Sequence, residues 1–146
     1  MEVEPLILTK RDELAIKMER FKRRQRVDFK TYCQNDEIFP GEPPAKHHEF
    51  MCAALQLVEQ GEIKRLMVLM PPGHGKSVYC SVRFPSWYLG RHPTHHLVHA
   101  TYGGELANLN GRKVRNLLPS PDYGEVFPDV GIAEDCISAM YSPSSR

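Results

Sequence analysis

The sequence predicts an α/β protein: a parallel sheet flanked by helices, preceded by a basic helical N-terminal segment. Three observations carry this expectation. Residues 65–118 alternate apolar runs with amphipathic stretches in the order strand, helix, strand, helix, the βαβα pattern of a parallel sheet. A glycine-bearing loop ending in Lys and Ser joins the first of those strands to the first of those helices. Nine of the 19 Lys and Arg residues fall between positions 10 and 30, ahead of both.

Composition sets the frame. The chain has 146 residues, 41% apolar and 25% charged, which is globular rather than disordered. Nineteen basic against 18 acidic residues give a net charge of +1. That excludes a small nucleic-acid-coating protein but leaves room for a local basic patch. No apolar stretch is long enough to span a membrane, and Met1–Pro5 lack the features of a signal peptide. The expectation is a soluble intracellular protein. Cys33, Cys52, Cys80 and Cys136 form no CxxC pair, so they read as reduced packing thiols.

The elements follow in order. Within residues 10–30, Leu14, Met18 and Phe21 recur at helical spacing beside the run Lys22–Arg26, predicting a helix with one apolar and one basic face. That basic face is read as solvated, as a contact for nucleic-acid phosphate, or as a partner surface. Residues 35–44 hold three prolines and a glycine and read as a loop or linker. A helix is expected over residues 45–60, with Phe50, Ala54, Leu57 and Val58 on one face and Gly61 as its stop.

Arg65–Met70 is a nearly continuous apolar run, which suits a strand covered on both faces. Pro71–Gly75 breaks it. Residues 76–89 read as helical, with Pro85 kinking the helix or opening a second one and Gly90 closing it. Residues 95–101 read as a second strand. Leu106, Leu109, Val114 and Leu117 mark an amphipathic helix over residues 105–118, ended by Pro119. His92, His95, His96 and His99 would share a helical face at metal-ligand spacing. The strand reading sends His96 to the opposite side and favours a polar edge. Trp87 and Tyr88 read as core packing.

The chemistry is concentrated in Met70–Ser77. Gly73 and Gly75 allow positive φ and a close approach of backbone to an anion. Successive N–H groups then form a nest around phosphate oxygens, aided by the donors of the helix start. Pro72, Gly73, His74, Gly75, Lys76 and Ser77 are the candidate nucleotide-binding residues. Lys76 supplies the charge for the phosphates and is the candidate catalytic residue. The Ser77 hydroxyl is the candidate Mg²⁺ ligand. The consensus GxxxxGK[ST] has glycine where this chain has Met70.

Residues 20–129 resemble the N-terminal ATPase region of the large subunit of tailed-phage terminase. The resemblance is carried by Gly61–Ser77, by Arg83–Arg91 with its Phe-Pro-x-Trp-Tyr-Leu-Gly pattern, by Ala100–Tyr102 and by Gly111–Asn116. It implies a partial P-loop NTPase fold in which Gly73–Ser77 is a variant Walker A motif for ATP and Mg²⁺. It implies that Ala100–Tyr102 lies near nucleotide and DNA, and His47 and His48 near adenine, although both histidines also read as an exposed helix start. The implied partners are double-stranded DNA, a small terminase subunit, the portal protein and further copies of the chain, in the host cytoplasm and transiently at the procapsid portal. Family members often carry arginine within the loop where this chain has Gly73-His74. Arg83, Arg112 and Arg115 are the nearby alternatives for an arginine finger.

The domain boundaries expected are 1–43, a basic helical segment and Pro-rich linker; 44–130, a partial P-loop ATPase domain; and 131–146, an irregular tail. Hydrolysis also requires an acidic strand, for which Val130–Asp135 is a weak candidate. The chain therefore reads as a fragment that binds ATP and turns it over negligibly. The competing readings are another P-loop enzyme, such as a helicase-like ATPase or a kinase, and a non-catalytic module acting through its basic helix.

Overall fold

The computed structural model describes residues 9–41 and 43–130. The described chain is helical. It comprises α1 (Lys10–Val27), α2 (Phe29–Cys33), α3 (Lys46–Glu59), α4 (Lys76–Val78), a π-helical segment (Tyr79–Arg83), α5 (Phe84–Arg91), α6 (Gly104–Leu117) and α7 (Pro121–Val126).

The parallel sheet expected from the sequence is absent among the described residues: neither 65–70 nor 95–101 forms a strand. A strand exists only through a ladder of backbone hydrogen bonds to a neighbour. None of the backbone–backbone bonds outside the helices reaches residues 64–74 or 96–102. The apolar run that suggested burial on both faces is covered on one only. Val68 and Met70 pack against the core, whereas Met67 and Leu69 are 81% and 84% exposed. The α/β, partial P-loop class is thus corrected to an all-helical arrangement with two irregular apolar segments.

Three helices start on a side-chain cap. Thr9 caps α1, accepting from Asp12 N–H while the Asp12 carboxylate accepts from Thr9 N–H. Asp28 separates α1 from α2 and caps the latter through Thr31 N–H at 2.8 Å. Ser120 caps α7, with Pro121 at its first position.

The helix after the loop runs from residue 76 to 91 as α4, the π segment and α5 in succession. Pro85 explains the middle. It has no N–H, and its ring would press on the carbonyl four residues back in a regular helix. The turn before it widens instead, and Phe84 N–H donates to Tyr79 O, five residues back. Gly90 is not the stop. It lies inside α5 because a Cβ there would sit 2.7 Å from the Phe127 ring, so only glycine lets Phe127 pack down.

The core is aromatic and lies where α2, α3, α5 and α7 meet: Phe29, Tyr32, Tyr79, Trp87, Tyr123 and Phe127 are all buried. Among the described residues one buried side-chain polar atom, Arg83 Nε, has no hydrogen-bond partner. Trp87 Nε1 donates to Gln25 O at 2.9 Å, Asn35 Nδ2 to Gln25 Oε1 at 2.8 Å, and Tyr123 OH to Ser86 O at 2.8 Å. The first two bonds dock the end of α1 and the third ties α7 to α5, while Leu14, Met18 and Phe21 remain exposed on α1. On α3 the buried residues are Met51, Cys52 and Leu55, rotated from the expected face, and Phe50 is 79% exposed. Cys33, Cys52 and Cys80 are free thiols, with burial pushing Cys33 and Cys80 above the usual thiol range. Cys136 lies outside the described residues. No helix among those described is long and apolar enough to cross a membrane.

Candidate phosphate-binding loop

The chain leaves the core at Met70 and re-enters it at Tyr79, just after α4. Gly73 and Gly75 adopt φ +81° and +72°, and Gly75 is the residue before α4. Tyr79 N–H donates to Gly75 O at 3.0 Å. Ahead of that bond, Lys76, Ser77 and Val78 present first-turn N–H groups with no intrahelical acceptor. Lys76 Nζ reaches back across the loop to Met70 O at 3.5 Å, and no described carboxylate pairs with it. Ser77 is exposed. The loop therefore offers an array of donors and one cation without a fixed counter-charge.

Imidazoles hold its back. His74 Nδ1 donates to Pro72 O at 3.0 Å, closing the turn internally. His48, in the first turn of α3, accepts from Ala45 N–H at Nδ1 (3.2 Å) and bonds His74 O through Nε2 (3.0 Å). Its ring stacks on Tyr79, centroids 4.4 Å apart and planes 19° off parallel. A Cβ on Gly75 would lie 2.8 Å from His48 Nε2, so this glycine is required by space as well as by φ. Desolvation first, and then the neighbouring His48 and His74 rings, hold the His47 imidazole below its ordinary range. Burial raises the Tyr79 phenol to about 12.

Beside the loop, α3 and residues 66–70 bound an apolar groove of about 440 Å³, lined by His47, Phe50, Ala54, Met67 and Met70 among others.

The other residues singled out by sequence separate from this loop. Arg83 is committed to the core. Its guanidinium lies over Phe39 and Tyr79, at 4.6 and 4.5 Å, and Nη1 donates to Cys33 O at 3.3 Å. Arg112 is exposed on α6 and Arg115 half-buried there. The histidine cluster divides among different partners. His92 bonds Glu59 Oε1 at 2.8 Å, His95 bonds Tyr88 OH at 3.0 Å, and His99 bonds Asn110 Nδ2 at 3.1 Å. No group of three or more His, Cys, Asp or Glu among the described residues is arranged for a metal. Tyr102 is 98% exposed. Of Val130–Asp135, only Val130 lies within the described residues.

Two features escape sequence reasoning. The position of His48 three residues after Ala45, where a side chain can reach back to the residue before the helix, is a usable signal. The partly buried pair of Glu59 with Arg91, at 2.8 Å, links residues 32 apart and leaves none. No family model matches the chain, and no curated protein or solved structure resembles it significantly.

Proposed function

We propose that residues 72–77 bind the phosphates of ATP, and that the chain is the ATP-binding part of a phage terminase large subunit whose intact form couples ATP hydrolysis to translocation of double-stranded DNA. One observation carries the nucleotide reading: Gly73 and Gly75 in left-handed backbone precede three first-turn N–H groups, beside a lysine without a carboxylate partner. Such donors suit a polyanion. On binding, Lys76 exchanges its single contact with Met70 O for the terminal phosphates. The exposed Ser77 hydroxyl would ligate Mg²⁺, which takes most of its remaining ligands from phosphate oxygens and water. Bound Mg²⁺ would neutralise charge on the phosphates. The groove beginning at Met70 offers an apolar surface for the base.

The DNA reading is supported by Arg20, Arg23 and Arg24, which α1 exposes together. Arg26 contributes differently, since its Nε donates to Val126 O within the fold. The remaining partners, the small terminase subunit, the portal and further copies of the chain, rest on the family resemblance. So does a location in the host cytoplasm and at the portal.

The test is a calorimetric titration of MgATP into wild type and Lys76→Ala, with duplex DNA titrated into Arg20/Arg23/Arg24→Gln. Lys76→Ala should lose nucleotide binding with its helical content unchanged. The triple variant should keep nucleotide binding but bind DNA more weakly, with a salt slope shallower by up to about 3. Equal nucleotide affinities refute the phosphate site; an unchanged salt slope refutes DNA contact by α1.

A further inference from the structure

We infer that His48 is a positioning residue for the phosphate loop, a latch made by its Nε2–H group on the His74 carbonyl. The inference rests on the reading of residues 72–77 as a phosphate site. His48 itself need not touch the nucleotide.

The partners fix the tautomer. Ala45 N–H points at Nδ1 from 3.2 Å, and a backbone N–H can donate only to a bare ring nitrogen. The ring proton is therefore on Nε2, which donates to His74 O at 3.0 Å. One side chain thus ties the start of α3 to a loop 26 residues further along the chain.

The tie has a direction. His74 C=O and Gly75 N–H share one planar trans peptide and point opposite ways. Holding the carbonyl against His48 turns Gly75 N–H away from α3. That N–H adjoins the first-turn donors of α4. The ring is held flat by its stack on Tyr79 and approaches so closely that only glycine fits at position 75. Without the latch the His74–Gly75 peptide is free to rotate, and the donor array loses a fixed member.

The two ring bonds do different work. The Nδ1 bond to Ala45 N–H seats the ring at the start of α3, and the Nε2–H bond to His74 O orients the His74–Gly75 peptide.

The experiment uses the full chain and two variants, His48→Gln and His48→Leu. Glutamine keeps a donor near the Nε2 position; leucine removes both bonds. Long-range ¹H–¹⁵N spectra of the histidine rings at about pH 8 should give the Nε2–H form of His48. The Gly75 amide should keep its wild-type position in His48→Gln and move in His48→Leu. MgATP affinity at about pH 8 should be within about twofold of wild type for His48→Gln and about tenfold weaker for His48→Leu.

Fluorescence of the buried Trp87 reports folding of each variant. If His48→Leu fails to fold, the wild-type spectra and the His48→Gln affinity decide. An Nδ1–H form, a loss of affinity not rescued by glutamine, or a folded His48→Leu that binds MgATP with wild-type affinity overturns the latch. Absence of MgATP binding by folded wild type removes the phosphate reading instead, and the spectra still decide whether the latch exists.

Discussion

Gly73 and Gly75 share a left-handed backbone but differ in what surrounds them. A Cβ at Gly73 meets nothing within 4 Å, whereas one at Gly75 meets His48 Nε2 at 2.8 Å. Gly73→Ala should therefore cost only backbone strain, about 1–2 kcal/mol. Gly75→Ala should cost that strain and also displace His48, adding about 1 kcal/mol for the lost hydrogen bond. Urea unfolding of the two variants measures the difference, and equal midpoints would mean that the His48 contact contributes nothing. The role of the two glycines is legible in sequence, because Gly-His-Gly-Lys-Ser demands an unusual backbone wherever it occurs. The role of His48 is not, because its two partners lie in different segments and become neighbours only on folding.

At the scale of elements, helices are legible where period and punctuation agree. The expected ranges 45–60 and 105–118 correspond to α3 (Lys46–Glu59) and α6 (Gly104–Leu117). The faces are less legible. Phe50 and Met51 are both apolar, and only the packing of α3 on α2 and the π segment selects Met51 for burial. The two apolar runs mislead for a related reason: hydrophobicity marks a tendency to be buried, but strand formation needs a partner that local sequence does not specify. Gly90 illustrates a third limit, since a helix stop and a packing notch require the same residue. Gly90→Ala should force Phe127 off α5 and destabilise the fold by about 1–3 kcal/mol through overpacking. Thermal unfolding checks this; a melting temperature equal to wild type would mean that Phe127 does not depend on the notch.

For the whole molecule, the aromatic core fixes a response to alkali. Burial raises the phenol of Tyr79 to about 12 and those of Tyr32 and Tyr123 further above their usual range. The folded state thus keeps these protons after the unfolded chain has released them. Their contribution to stability is complete below about pH 10 and is lost as pH rises toward 12, because the unfolded state then binds fewer protons. The urea midpoint should fall between about pH 9 and about pH 11, with phenolate absorbance rising as Trp87 fluorescence changes. A midpoint independent of pH across that interval would contradict the buried phenols. Fully buried Trp87 is the part of this core that sequence anticipates, as the only tryptophan in an apolar helical stretch.

The widened turn at Tyr79–Arg83 also bears on how the gene for this chain tolerates change in length. A π turn holds one more residue than an α turn of similar rise, so the helix stores a spare position there. Deleting Ser81 together with Pro85→Ala should convert residues 76–91 to a regular helix, leaving the loop and Trp87 in their present relative orientation. Deleting Ala53 from α3, where no spare position exists, would rotate everything beyond it by about 100° and turn the Leu55 side away from the core. Circular dichroism and urea unfolding should find the first deletion folded and the second not. Residues 79–83 are then one place where loss of a residue, once Pro85 is replaced, is structurally silent.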